Sequence, residues 1–439
     1  MTISSKSAWP ASLDCQIFVR SPNRVPSRSM GLLKSEFSLS FFLASVLCFS
    51  FIASRLSAAP KATVLYTLPG GTLGASPMAS LFEDSARNLY GTSFGANKKT
   101  GAYGSVFKLT PPAVGATNWT ASILYSFRNT GDGANPASAV VMDKAGNLYG
   151  TTSDGGDGGR CVFKLEPPAA GQGAWIETVI YSVAGNVYGN LLMTPSGVIY
   201  GVDTEEVFSL APPTSKMKSW TPTVLYNFPP GVQIYAGVVN DASGALYGTT
   251  SQGGAAGLGT VYKLTPPSDG QDSWTETDLH VFQGGANDGA MPMAGVVVDV
   301  AGNLYGTTEY GGSNNAGTVF MLTPPAGGQG TWSESVLHRF SGSDGAYPLA
   351  SLTKTASGIF YGTTSIGGSA NDGTVFKLVP PLGGNSWTLV TLYAFIGRKA
   401  GNPLHPEASL IRDKTGVLYG TTVTGATTAR AGTAFAITP

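Results

Sequence analysis

Residues able to do acid–base chemistry are scarce in this chain. Its 439 residues include three histidines, His280, His338 and His405. His280 and His338 stand in "DLHVF" and "VLHRF", where related stretches read "ILYSF" and "VLYNF". A histidine that alternates with tyrosine inside an apolar run is expected to pack rather than to act as a base. His405 precedes Glu407 by two residues in "LHPEASL", and this pair is the catalytic candidate. No nucleophile or metal set accompanies it at a recognisable spacing, so no metal and no other cofactor is expected. Aspartates in "RNTGDGANP" (128–136), "SDGGDGGR" (153–160), "QGGANDGAMP" (283–292) and "SGSDGAYP" (341–348) could ligate calcium or sugar hydroxyls. None of these segments alternates oxygen donors as densely as a calcium loop, and Asp-Gly is ordinary turn chemistry. The ligand-binding candidates on these and neighbouring segments are Tyr103, Asp132, Asp157, Arg160, Asp288, Tyr310, Asp344, Tyr347 and Arg398.

Several other chemistries lack their residues. The glycines of "GNLYG" do not form a phosphate loop, because no GxxxxGK[ST] string exists and they lie between strands. "SDGQDSW" (268–274) falls where a sialidase-type aspartate box would, yet it lacks that spacing and no arginine triad accompanies it. Lys plus Arg equals Asp plus Glu at 26 each, so no basic stripe marks a nucleic-acid partner.

What must position these residues is a repeat. The Tyr of "LYG" or its variant recurs at Tyr90, Tyr149, Tyr200, Tyr247, Tyr305, Tyr361 and Tyr419, at spacings of about 47 to 59 residues. Each unit holds four apolar bursts bounded by Gly, Pro, Asn or Asp, which predicts four short strands. In order, strand a is "ASAVVMD" (137–143), b is "GNLYGTT", c is "GTVFKLTPP" (317–325 and 373–381 read this way or nearly so), and d is "WTASILYSF" (119–127). The "D-x-x-G-N" between a and b predicts a hairpin turn in which Gly and Asn take positive φ. Four antiparallel strands repeated seven times predict an all-β, seven-bladed β-propeller. The seventh d strand is absent from the end of the chain and present at its start, as "TVLYTL" (63–68). With a innermost, that strand pairs with the last blade and closes the ring. The other phase, with d innermost and no shared blade, leaves 63–68 unpaired with 432–438. Unit 3, "GVIYGVDTEEVFSL" (197–210), replaces the b–c glycines with Asp203, Glu205 and Glu206, which reads as an eroded loop.

Residues 1–59 differ in kind. The apolar run "FSLSFFLASVLCFSFIA" (37–53) follows Lys34 and precedes the small residues "SAA" (57–59), the order of a secretory signal. Cleavage is expected near Ala58 or Ala59, with a retained membrane anchor as the alternative. "MGLLKSEF" from Met30 would begin a signal of ordinary length, so 1–29 reads as an upstream extension. Leu47 before Cys48 does not suit lipidation. Cys161 is then the one mature cysteine, which excludes an intramolecular disulfide and suggests a buried filler.

The combined string "LYxF…DGxxP…DxxGNLYGTT…GTVFKLTPP" resembles the GloVer repeat of bacterial choice-of-anchor tandem repeat proteins, over about 63–438. It is also loosely similar to the NHL propeller unit. The resemblance implies a secreted or surface-displayed bacterial protein with a propeller-like fold, and no established activity. Such proteins often end in a sorting anchor, whereas here Pro439 follows a strand, so release to the exterior, cell surface or periplasm is expected. The d-to-a and b-to-c loops share one face in the chosen phase, and that face is the expected binding surface. A monomeric, non-catalytic scaffold binding carbohydrate or protein is the expectation. An extracellular polysaccharide hydrolase or lyase and a structural envelope component are the alternatives.

Overall fold

The computed structural model describes residues 60–439 except 71–73, 96–100, 102, 156–158, 172, 269–272, 329, 385, 398–402 and 426–431. The leader, Asp157 and Arg398 therefore lie outside the described residues.

Seven four-stranded antiparallel blades follow the chain. Blade 1 is Phe82–Glu83 (a), Leu89–Ser93 (b), Ser105–Thr110 (c) and Thr120–Ser126 (d), hydrogen-bonded in that order. Blade 7 takes Ile411–Arg412, Leu418–Thr422 and Thr433–Ile437 from the C-terminal end and Ala62–Thr67 from the start. Val64 pairs with Phe435 and Ala62 with Ile437, so the ring closes through the first strand of the fold. Strand a is innermost: the residues just before it in all seven blades line one central cavity. No described helix is long and apolar enough to cross a membrane.

Every letter of "LYGTT" has a packing role. In blade 1, Leu89 is fully buried and the Tyr90 hydroxyl donates to Asp84 at 3.0 Å. Gly91 admits the ring of the facing strand, since a Cβ there would sit 2.5 Å from the tip of Phe107. The hydroxyl of Thr92 crosses to the next blade and donates to the carbonyl of Ser138 at 3.0 Å. Ser93, in the second hydroxyl position, bonds Ser105 of strand c at 2.8 Å. The crossing bond recurs from Thr249 to Ala294, Thr307 to Ala350, Thr363 to Ala408 and, across the closure, Thr421 to Ala79. Each such buried bond contributes about 0.5–1.5 kcal/mol.

Apolar packing lies between blades. Seven clusters of buried residues each join two neighbours, among them Leu81, Phe107 and Tyr419 across the closure. The Trp that opens strand d packs edge-on against the Tyr of the preceding blade, as in Trp220 on Tyr149, Trp332 on Tyr247 and Trp119 on Tyr419. Strand d also carries a β-bulge at the same place in every blade, for example between Val64 and Tyr66 and between the partners of Val106 and Phe107. The extra residue, Leu65 or Leu124, lets two consecutive apolar side chains face the core.

One turn expectation needs correction. Gly146 and Gly302 have φ of 86° and 84°, but the following asparagines stay at negative φ. Asn147 and Asn303 instead donate their side-chain amides to Asp143 and Asp299 at 2.7 and 2.9 Å. The asparagine serves the turn aspartate, not the backbone reversal.

Candidate functional site

The d-to-a loops and b-to-c loops meet on one face, where short ladders join them: Gly289–Ala290 with Tyr310–Gly311, and Pro403–Leu404 with Thr424–Gly425. Each d-to-a loop then turns inward to start strand a. Asn135, Met291, Tyr347 and His405 occupy this turn at φ between 55° and 57°, each directly before a proline. A left-handed backbone is uncommon for such residues. Its recurrence in four blades assigns it to the architecture of the turn.

The residue after this proline, or its equivalent in blades 3 and 4, which have none, stands at the mouth of the central cavity. Around the ring these are Met78, Ala137, Tyr188, Tyr235, Met293, Leu349 and Glu407. The cavity beneath holds about 110 Å³ and its floor is made of small residues, including Ser80, Asn190, Gly237, Ser351 and Ser409. Blades 3 and 4 approach closely there: a Cβ on Gly237 would fall 2.1 Å from the carbonyl oxygen of Asn190. Enclosed sites for small molecules run to ~300–1,000 Å³, so this is a shallow cup.

The collar is asymmetric. Tyr188 of blade 3 and Tyr235 of blade 4 lie side by side, ring centroids 5.5 Å apart at 34°, and Tyr188 is 38% exposed. Blades succeed one another around the ring in chain order, so blade 7 and Glu407 stand across from the gap between blades 3 and 4. Burial pushes the Glu407 carboxyl up; the charge of His405 opposes this and that of Glu309 adds to it. Among the described residues, no Arg or Lys lines the cup.

His405 is held by its loop. Its Nδ1 lies 3.0 Å from the carbonyl of Ser365, which can only accept, so Nδ1 carries the proton. Its backbone bonds Asp372 and Val423. The loop aspartates turn inward as well. Asp132 accepts from the Tyr125 hydroxyl and the amides of Arg128 and Thr130. Asp288 accepts from Gln283 and Gly289 amides and faces His280 Nε2 at 3.3 Å. Asp344 accepts from the Ser341 amide and hydroxyl and faces His338 Nε2 at 2.9 Å. Burial raises the Asp288 and Asp344 carboxyls, but these bonds outweigh it and hold both below the usual range. His280 and His338 thus keep the partner that Tyr125 has in blade 1, and each packs edge-on against a phenylalanine.

Arg160 donates to Asn186 Oδ1 and the carbonyl of Ala184, bracing the next loop. Tyr310 and Tyr347 pair with each other, ring centroids 5.2 Å apart. Tyr103 packs between blades 1 and 2 beside a peripheral groove of about 400 Å³. Cys161 is fully buried, its thiol 3.2 Å from the Thr152 hydroxyl, and burial pushes it up to about 12. Asp203 accepts from the amides of Gly185, Glu205 and Glu206 and so caps the shortened loop of blade 3. Among the sequence-based candidates, Glu407 reaches the cup. Tyr188 and Tyr235 were not anticipated; the signal available was their place one residue before the small pair that opens each strand a, as in "YGN" and "YAG".

The Gloeobacter/Verrucomicrobia repeat matches residues 52–228 and 205–435. No curated protein matches. Similar solved structures include the extracellular domain assigned to a hybrid two-component system of B. thetaiotaomicron, at 13% identity and a TM-score of 0.49, covering 86% of this chain and 43% of that one. A second extracellular domain from B. thetaiotaomicron has 11% identity and a TM-score of 0.43, covering 82% and 45%. The chain spans less than half the length of these domains. A gluconolactonase from Xanthomonas campestris has 12% identity and a TM-score of 0.39, covering 88% and 92%. Likeness at this level carries nothing about ligand or chemistry.

Proposed function

Since the chain belongs to the Gloeobacter/Verrucomicrobia repeat family, we propose that it is a secreted or surface-exposed scaffold that binds an extracellular ligand without transforming it. The signal-like run at 37–53 supports export. The observation that carries binding is the division of labour within the repeat. The recurring residues of strands b and c are consumed by packing, whereas the collar position changes from blade to blade and faces the open cup. Function on a repeat scaffold is expected where repeats differ and are exposed. Carbohydrate or protein is the ligand class. The test is immobilisation of the purified protein against extracellular polysaccharides and envelope proteins, with release of reducing ends followed in parallel. Saturable retention without turnover is expected; product release would overturn the reading.

A second reading, a polysaccharide hydrolase, draws on the half-buried Glu407 with its raised carboxyl and Glu309 and His405 nearby. A carboxyl of that kind could serve as a general acid. Loss of measured turnover in Glu407→Gln would favour it.

A further inference from the structure

We propose that the cup takes one uncharged sugar ring, a chain end or a protruding residue, with its apolar face on Tyr188 and Tyr235 and its hydroxyls turned toward Glu407 and the serines of the floor. This rests on the scaffold reading and names the ligand of the same site. Three observations converge. The two tyrosines come from adjacent blades and pair into an aromatic wall of the cup, with Tyr188 38% exposed. Tyr235 is held in place by its hydroxyl, which donates to Gln233 at 2.9 Å, so its ring is preorganised. The floor offers uncharged groups, Ser80, Asn190, Ser351 and Ser409, that pair with hydroxyls by donating and accepting.

The charge balance selects against other ligands. The described lining residues include no Arg or Lys, so that lining offers no counter-charge to a phosphate or carboxylate. An ammonium group would find one carboxyl among the described lining residues, and burial pushes that one up, against the charge of His405, so that it resists ionisation. A sugar ring needs neither: its C–H face stacks on aromatic rings, and its hydroxyls accept a carboxyl's proton or donate to a carboxylate. The small volume of the cup limits the occupant to one residue, with the rest of any chain running over the collar.

The test is binding of methyl glucoside, galactoside, mannoside and N-acetylglucosaminide, and of their short oligomers, to the purified protein by saturation-transfer NMR and calorimetry. Glucosamine and glucuronate serve as charged controls. At least one neutral glycoside is expected to bind, with affinity about tenfold weaker in Tyr188→Ala and in Tyr235→Ala, largely restored in Tyr188→Trp. Glu407→Gln is expected to weaken it about threefold. Unchanged melting temperatures in the tyrosine variants keep the loss attributable to the site. Neutral glycoside binding that both tyrosine variants retain would overturn the assignment of the cup while leaving the scaffold reading intact. Preference for glucosamine or glucuronate over every neutral glycoside would overturn the uncharged class. Absence of any glycoside binding would overturn the inference altogether, and retention of an envelope protein would then separate that failure from failure of the scaffold reading.

Discussion

The seam between blades 7 and 1 and the seams around blade 3 are built from the same repeat and are bonded differently. The non-covalent joint of the ring lies inside blade 7, between Ala62–Thr67 and Thr433–Ile437, and the chain crosses from that first strand into blade 1 at a seam that keeps the repeat's contacts. Thr421 reaches Ala79, Trp119 packs on Tyr419, and Arg87 adds a bond to Asp413 and to the Tyr419 hydroxyl. Blade 3 is joined to its neighbours by the same d-to-a connections and keeps fewer. Val202 stands where other blades have the crossing threonine. On the other side, the Thr151 hydroxyl turns to Ser138 of its own blade, and Asn190 joins the blades by accepting from the Ala139 amide. At the seam between blades 3 and 4, Tyr262 replaces the phenylalanine of strand c and its buried hydroxyl has no partner among the described residues. The chain crosses both seams, so continuity does not separate them: the seam beside the blade assembled from both ends of the chain keeps the full set of contacts, whereas the seams of blade 3 have drifted. The drift lies directly under Tyr188 and Tyr235, and local departures from a consistent pattern are expected where function has displaced packing.

The comparison is broken most severely by removing residues 60–68. Strand Thr433–Ile437 would then present an open edge, and the clusters on both sides of blade 7 would lose their cover. Loss of a cooperative thermal transition is expected. A single sharp melt within a few degrees of the intact chain would show that the closing strand is dispensable.

The next effect is a reversal of sign between equivalent chemistries. Tyr262→Phe removes an unpartnered buried hydroxyl and is expected to stabilise by about 1–3 kcal/mol. Tyr90→Phe breaks the bond to Asp84 and is expected to destabilise by about 1 kcal/mol. Equilibrium denaturation of both reads the contrast. Destabilisation in Tyr262→Phe would mean that the hydroxyl is satisfied in solution and that the seam is not strained there.

Much of this architecture was readable from the sequence, because the repeat writes each packing role seven times. Strand order, the inner position of strand a and the closing strand follow from counting bursts, and the pairing of Val64 with Phe435 bears them out. The bulge in strand d was not readable: "LY" looks like ordinary alternation with one apolar residue too many, and only the register shows which one is extra. The role of Asn147 was missed because a side-chain amide bonding an aspartate and a backbone at positive φ leave the same Gly-Asn string. The collar was harder still. It is one position per repeat, and the two units that carry tyrosine there lack the preceding proline that aligns the others. The proposed site sits where the pattern used for reading is weakest.

The pH dependence of stability separates the a–b turns from strand d. Asp84, Asp143, Asp241, Asp299 and Asp413 hold the a–b turns. Burial raises their carboxyls, but bonds to backbone and side chains outweigh it and set them below 3.8. Their contribution is complete above 3.8 and is lost as pH falls through the lower folded values. Glu177, Glu276 and Glu334 on strand d behave oppositely, pushed up from 4.5 to about 7, first by burial and then by nearby acids. Between 4.5 and 7 the unfolded chain has lost these protons and the folded chain still holds them, so stability falls as pH rises through that window. The maximum is expected near pH 4–5. Glu276→Gln is expected to flatten the neutral limb by about 1 kcal/mol, discounted because the group is only partly buried. A maximum at or above pH 7 would mean that these carboxylates find water or a counter-ion.

The smallest effect tests the seam directly. Thr421→Val removes the crossing bond at the closure and leaves the Ala79 carbonyl buried without that donor; a loss of about 1 kcal/mol is expected. Val202→Thr places the same hydroxyl at the seam between blades 3 and 4, facing the start of blade 4. Where the backbone keeps the spacing of the other blades, the new bond should form and stabilise by a few tenths of a kcal/mol to about 1. A matched gain and loss, measured by denaturant titration, would show that blade 3 drifted in side chains alone. A loss in Val202→Thr of the size seen in Thr421→Val would show instead that the backbone at this seam has moved beyond reach of the bond. The tyrosine pair above it would then sit on a rearranged seam, and restoring the repeat's hydroxyl could not restore the repeat's geometry.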